Sequence, residues 1–448
     1  MKNILKIIVI VFISVAFAVI MYSCKKDKAT PPILTTAEPS EITQKTVSSG
    51  GNITSDGGEE IIIAGICWST SANPSIKDKH TNDAKELGSF TSKLIGLIPN
   101  TKYYIRAYAY NKAGAGYGNE VTFTTSPITL ATLTTTDVTL VTSNSATSGG
   151  IITDDGGGII TARGICWGTS ANPTIIDEHS TDGTGTGNFT SNMKCLSSAT
   201  TYYVRAYATN SAGTAYGDQQ SFTAEISPII FNPNLNYGSV ADIEGNCYKT
   251  IQIGNQTWMA ENLMTTNYND GSIIPNVTGD NVWSILITDA YCWYYNDEAT
   301  YRPVYGALYN WYAVNTGKLC PTGWHIPSDA EWHTLVLTLD VGAQDILGTE
   351  STIAGGKLKE IGTIHWKSQN DGATNESGFT AIPGGLRQAD GVCRQEQIDG
   401  YAFYWSSTEV ISAPVTNAYS RMVGYNATNM YKKSGAKVVG ASIRCVKD

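Results

Sequence analysis

The chain has 448 residues, 15% of them charged, and a formal net charge of −9 with no long run of either sign. That length allows about three domains at ~150 residues each, and the lack of a basic face argues against nucleic acid as the main partner. Gly (44) and Tyr (25) are plentiful beside many Thr, Ser and Asn, a mix that suits β-strands joined by tight turns rather than helical bundles.

Lys2 and Lys6 precede an uncharged apolar run from Ile7 to Ile20. The run is shorter than the ~20 residues of a spanning helix and fits the apolar core of a secretory signal. Met21-Tyr22-Ser23-Cys24 then resembles a bacterial lipobox, whose cysteine receives diacylglycerol; Met21 stands where leucine is usual. The expectation is a signal peptide over 1–23 and a lipid anchor on Cys24 that ties the protein to the membrane. Each buried acyl CH₂ contributes ~0.8 kcal/mol, so several chains on one cysteine hold firmly. An uncleaved apolar anchor, with Cys24 incidental, is the alternative. Lys25-Lys26-Asp27-Lys28 resembles the charged start of many Bacteroidetes lipoproteins, which implies the outer membrane and surface exposure. Residues 24–34, with Pro31-Pro32, read as an extended tether.

Two copies of one unit follow, over 35–126 and 127–225. Gly65-Ile66-Cys67-Trp68 recurs as Gly164-Ile165-Cys166-Trp167, and Arg106-Ala107-Tyr108-Ala109 as Arg205-Ala206-Tyr207-Ala208. Tyr117-Gly118 recurs as Tyr216-Gly217, at the same offset of 99 residues. The copies are therefore a tandem duplication without net insertion between these blocks. Tyr103, Ile105, Ala107 and Ala109 alternate with Tyr104, Arg106 and Tyr108 at the strand period. The first set is expected to face inward and the second outward. The pattern after Pro99-Asn100 resembles the corner and following strand of fibronectin type III domains. There a tyrosine hydroxyl ties back to the preceding loop; Tyr103 and Tyr202 match it, although Ser198 stands where Pro99 does. Cys67 and Cys166, in equivalent places, read as buried small hydrophobes rather than partners. Residues 226–240, with Pro228 and Pro233, read as the next linker.

Ser328 and Glu331 compose a capping box behind Pro327, and Trp332, Leu335, Val336 and Leu339 recur on one helical face. Tyr305, Leu308, Tyr309 and Tyr312 repeat that spacing, so two amphipathic helices are expected to flank Cys320. Eight of the ten tryptophans lie beyond residue 240. Most belong in a core. Trp366 and Trp405, beside polar loop residues, are the candidates for exposure, with Asn370 and Asp371 as neighbours able to bond sugar hydroxyls.

Residues 241–448 resemble the major paralogous domain of Fibrobacter succinogenes, a family placed with C-type-lectin-like folds. The likeness rests on Asp242-Ile243-Glu244-Gly245-Asn246, Gln256-Thr257-Trp258-Met259-Ala260-Glu261-Asn262-Leu263, Cys320 to Trp332, Gly378 to Gly385, Tyr404-Trp405-Ser406-Ser407 and Ser442-Ile443-Arg444-Cys445-Val446. It implies an α+β C-type-lectin-like head, following the two all-β immunoglobulin-like sandwiches read from the repeats, and a cystine between Cys320 and Cys445. Cys195, Cys247, Cys292 and Cys393 have no assigned order.

No cofactor or metal is expected. His325 and His333 flank the capped helix without an H-E-x-x-H pattern, and loop oxygens of Asn375, Glu376, Asp390 and Asp399 read as solvated. No catalytic residue is assigned either: Gly355-Gly356-Lys357 lacks the remaining elements of a phosphate loop, and no G-x-S-x-G occurs. The expected work is non-catalytic binding of a glycan or a protein, in adhesion or substrate capture. Two rivals stand beside it. One is an oxidase of the formylglycine-generating type using Cys393; the other is a structural or pilus-tip-like surface component.

Overall fold

The computed structural model describes residues 28–448, and the signal peptide expected over 1–23 and the lipid anchor expected on Cys24 lie outside them. Alternation at period two builds each repeat as two facing sheets. In the first copy, β1 (Ile33–Thr36), β2 (Thr46–Ser55) and β5 (Gly88–Ile95) form one sheet. The other holds β3 (Ile63–Ser69), β4 (Lys79–His80), β6 (Lys102–Asn111), β7 (Gly114–Tyr117) and β8 (Val121–Thr124). The second copy repeats this with β9 (Thr132–Thr139), β10 (Ala146–Asp154) and β13 (Gly187–Met193). These face β11 (Ala162–Gly168), β12 (Glu178–His179), β14 (Thr201–Asn210), β15 (Gly213–Tyr216) and β16 (Gln220–Thr223). The register also repeats, with Cys67 opposite His80 and Cys166 opposite His179.

The corner expected from Tyr103 and Tyr202 forms in both copies. Their hydroxyls accept from the backbone N–H of Ile98 at 3.0 Å and of Ser197 at 2.9 Å. Cys67 and Cys166 are free and buried, and burial pushes both thiols up to about 11. Tyr108 departs from the outward expectation: it is 1% exposed. The segment after β4 folds over that face, and the Tyr108 hydroxyl donates to the Thr81 carbonyl at 2.6 Å. The tether is also shorter than the sequence suggests. The Thr30 N–H donates to the Gly57 carbonyl, and Asn111 Nδ2 holds the carbonyls of Thr30 and Asp56 at 2.7 Å each.

The head is built mostly of strands with short helices. One sheet orders β17 (Gly238–Ala241), β18 (Cys247–Ile253), β19 (Gln256–Met259), β27 (Val446–Lys447) and β22 (Trp324–His325). A second orders β23 (Gly348–Ser351), β26 (Met430–Ala436), β25 (Asn417–Gly424) and β24 (Tyr401–Glu409). A short pair joins β20 (Tyr291–Cys292) to β21 (Leu308–Tyr309). The helices are α1 (Asp280–Trp283), α2 (Glu298–Tyr305), α3 (Trp311–Val314), α4 (Asp329–Leu339) and α5 (Ala354–Leu358). The capping box at α4 is complete: Ser328 Oγ accepts from the Glu331 N–H, and the Glu331 carboxylate accepts from the Ser328 N–H at 2.8 Å. Its buried face, Trp332, Leu335 and Val336, packs on Trp258 and Phe379.

The second helix expected before Cys320 does not form as one piece. Gly306 turns with φ +69°, a left-handed conformation that ends α2. Leu308 and Tyr309 then pair with β20, and Asn310 caps α3 through the Ala313 N–H at 3.1 Å. The helical spacing of the four residues is thus shared by a helix end, a strand and a second helix that meet near one core. Residues 226–240 do not hang free: the Ile230 N–H donates to Glu360 at 2.7 Å, and Lys249 lies over the Phe231 ring at 4.7 Å.

Arg444 explains why several of the quoted blocks lie together. Its buried guanidinium donates to Asn262 Oδ1 at 2.7 Å and to the carbonyls of Met259, Phe379 and Thr380. One planar fork therefore ties two distant chain segments, 259–262 and 379–380, to its own strand end and satisfies their buried carbonyls. The Cys320–Cys445 cystine is formed and both residues are buried. A second cystine, Cys195–Cys247, joins the second sandwich to the head. Cys292 and Cys393 are free; burial pushes the Cys292 thiol up to about 12 and that of Cys393 upward as well.

Candidate functional site: a cleft between the second sandwich and the head

The residues picked from sequence as ligand contacts are mostly built into the head. Trp366 and Trp405, expected at the surface, are each 1% exposed. Their indole N–H groups donate to the carbonyls of Ala381 and Tyr309, both at 3.0 Å. A large ring whose one polar atom finds a carbonyl gains more from burial than from solvent. Asn370 is buried and donates to the carbonyls of Glu360 and Gly362. Asp371 keeps an exposed carboxylate, but its backbone is fixed. The buried Lys359 ammonium donates to the carbonyls of Asp371, Gly424 and Ala427 at 2.9 to 3.0 Å. Trp366, Asn370 and Asp371 thus order a loop, whereas Trp405 sits on β24 and backs a small, mostly apolar cavity of about 190 Å³ beside Phe403 and Lys433.

His333, Asp345 and Glu350 bring their ligand atoms within 4.8 Å of one another. Two cations already hold the carboxylates there. Arg421 pairs with Asp329 at 2.7 Å and with Glu350 at 2.6 Å, and Lys432 with Asp329 and Asp345 at 2.5 Å each. A divalent ion would have to displace both, so the cluster is an ion-pair network.

The concave surface lies elsewhere, on both sides of the Cys195–Cys247 bond. One cavity of about 420 Å³ has Asn144, Asn192 and Lys194 on the sandwich side and Glu244, Asn246 and Met264 on the head side. A second, of about 580 Å³, shares Asn192, Lys194 and Cys195 and adds Trp167, Glu178 and His179. The block Asp242 to Asn246 makes the head's wall. The Asp242 carboxylate accepts from the N–H groups of Glu244 and Asn246 at 3.0 and 2.9 Å, and Gly245 turns with φ +79°. That turn presents Glu244, whose carboxylate accepts from the Thr266 N–H at 2.7 Å and from Thr265 Oγ1 at 3.1 Å. Burial would push its pKa up, but the hydrogen bonds from Thr266 and Thr265, with Arg302 nearby, more than offset this and lower it. Glu244 is therefore a fixed carboxylate acceptor.

On the sandwich side Lys194 Nζ donates to the Glu244 carbonyl at 3.1 Å, and Asn192 Oδ1 accepts from Thr147 Oγ1 at 2.8 Å. Both side chains are exposed. The cleft thus offers an ammonium, amides, a carboxylate and an apolar thioether edge. Sequence reasoning missed Asn144, Asn192 and Lys194 because two units with separate cores make the cleft. A signal was present: Cys195 stands where the first copy has Gly96, so it is a cysteine without a repeat counterpart.

Comparison with known proteins adds the following. No curated protein matches the chain. Among solved structures, the crystal structure of chicken CNTN1 FN1–FN3 domains is 12% identical at a TM-score of 0.20, covering 44% of this chain and 69% of that one. The sensor domain of the anti-sigma factor RsgI4 from Pseudobacteroides cellulosolvens is 15% identical at a TM-score of 0.18, covering 22% of this chain and 98% of that one. Likeness this slight carries no argument. The model of the Fibrobacter succinogenes major domain matches residues 251–447, a span that includes Trp258, the capped helix, the Cys320–Cys445 cystine and Arg444. Residues 251–447, which make up nearly all of the head, belong to the Fibrobacter succinogenes major domain family.

Proposed function

We propose that the protein is a lipid-anchored envelope protein whose head and second sandwich together bind a glycan, without catalysis. The reading keeps the head as C-type-lectin-like, the repeats as fibronectin-like, and the anchor on Cys24. The observation that carries it is the polar cleft at the joint: amides, an ammonium and a fixed carboxylate converge there, and domain interfaces are where binding clefts concentrate. Hydroxyl-rich ligands use such donors and acceptors in pairs, and Trp167 adds a ring edge on the far side of the cystine.

The oxidase reading needs Cys393 as a thiolate, and burial favours the neutral thiol there. The test is a glycan and surface-protein array probed with the full-length protein, repeated with Asn192→Ala and Lys194→Ala. Both side chains are exposed, so the variants should keep the wild-type melting temperature and lose ten-fold or more in affinity. An array with no glycan hits, or binding indifferent to both substitutions, overturns the reading. Loss of an oxidase activity in Cys393→Ser would favour the rival. Globomycin-sensitive processing before Cys24 and protease accessibility on intact cells test the anchor and the surface location.

A further inference from the structure

We infer that Cys195–Cys247 is a thiol–disulfide exchange site whose opening frees the head from the second sandwich and takes the cleft apart. The bond joins two units with separate cores, one around Ile165, Phe189 and Tyr202, the other around Trp258 and Trp332. Cys195 is not there for the sandwich. The first copy has Gly96 at the same place with φ +68°, and Cys195 adopts φ +57°. A residue with a side chain pays for that left-handed backbone, whereas glycine does not. The cysteine therefore makes sense only through its partner in the head.

Access separates the two cystines. Cys195 is exposed and Cys247 is 7% exposed, while Cys320 and Cys445 are buried in the head's core. Exchange needs an attacking thiolate to reach a sulfur, and exposed disulfides are the labile ones. The contacts beside the bond are slight. Asn144 Nδ2 donates to the Cys247 carbonyl at 3.4 Å, and Lys194 Nζ to the Glu244 carbonyl at 3.1 Å. The Lys194 stem also packs against Gly245, and the chain crosses between the units in a few residues: the Ser227 N–H is still held by Ser198 Oγ of the sandwich at 2.6 Å, and from Ile230 on the chain is fastened to Glu360 of the head.

The step balances with an external dithiol as reductant. One thiolate of the dithiol attacks Cys195 Sγ, the S–S bond breaks, and Cys247 leaves as a thiolate that takes a proton. The second thiol of the dithiol then displaces Cys195, which also leaves protonated. The dithiol is oxidised to its disulfide by two electrons, and the cystine is reduced to two thiols. The consequence for ligand binding rests on the function proposed above; the opening itself does not.

The test treats the native full-length protein with graded dithiothreitol, maps free thiols by differential alkylation and mass spectrometry, and follows shape by small-angle X-ray scattering. Cys195 and Cys247 should become alkylated at ten-fold or more lower reductant than Cys320 and Cys445, with an increased radius of gyration. The double variant Cys195→Gly with Cys247→Ser, which restores the first copy's residue, should show the enlarged radius without reductant. If both cystines open at the same concentration, or the opened protein keeps the oxidised scattering profile, the inference is wrong. Neither readout involves a glycan, so a failed array and a failed latch are told apart.

Discussion

Trp405→Ala separates a core role from a ligand-stacking role at the position the sequence singled out. The ring is 1% exposed and belongs to the cluster that contains Ala418, Ala441 and Cys320. Burying about 200 Å² of indole at about 25 cal/mol per Å² contributes about 5 kcal/mol. The lost hydrogen bond adds little, because the Tyr309 carbonyl also accepts from the Ala441 N–H at 3.0 Å and is not stranded. The alanine side chains around the void have little to move into it, which favours the upper part of the ~3–5 kcal/mol range for tryptophan truncation. For a domain of this size each kcal/mol shifts the midpoint by about 2–4 °C, so a loss of about 4–5 kcal/mol should lower the head's transition by roughly 8–20 °C. Calorimetry on the full-length protein reads this directly, and Trp405→Phe should fall by less than half as much. A variant that melts within ~3 °C of wild type but no longer binds glycan would refute the reasoning and return Trp405 to the surface.

Two further predictions concern the head. His325 bonds Asp448 at 2.7 Å and Glu331 at 2.8 Å; burial lowers its pKa, but those two carboxylates outweigh burial and raise it. A raised folded-state pKa means the contribution to stability is fully present below ~6.5 and is lost as pH rises through the folded value. The imidazole should titrate above ~6.5 by NMR and move down in Glu331→Gln; titration at or below ~6.5 in the wild type contradicts the pairing. Removing Cys320–Cys445 with paired serines opens a separation of 125 residues, about 5 kcal/mol on the loop-entropy model. Urea unfolding should show that loss in the head's transition, whereas opening Cys195–Cys247 should leave the same transition in place; equal losses would mean the two cystines support one cooperative unit.

What the sequence made legible is what local chemistry decides. The 99-residue offset carries into the register, because identical alternation with identical turns selects identical pairing. The Ser328–Glu331 box formed since it needs only neighbours along the chain. The Cys320–Cys445 pair came from family likeness, not from spacing. Failures share one cause, which is that distant segments decided them. Tyr108 turned inward because the segment after β4 covers it, and Tyr305 to Tyr312 broke at Gly306 because β20 competes for Leu308 and Tyr309. Trp366 sits among polar residues in sequence, yet Lys359 gathers that loop's carbonyls and closes it over the ring. The cleft was invisible for the same reason, since its walls come from residues 50 positions apart (Lys194 and Glu244) to 120 apart (Asn144 and Met264) in different units.

The placement of the interdomain cystine has a mechanical consequence. If the chain is pulled between its two ends, tension entering the second sandwich crosses from position 195 to position 247 through sulfur. The β14, β15 and β16 strands then lie on a slack branch that carries no load. Even with that sandwich unravelled, the 52-residue separation spanned by the bond yields no extension, a hidden length of roughly 175 Å at ~3.4 Å per residue. Reduction would pay that length out, so the same bond sets how far the head can travel under force.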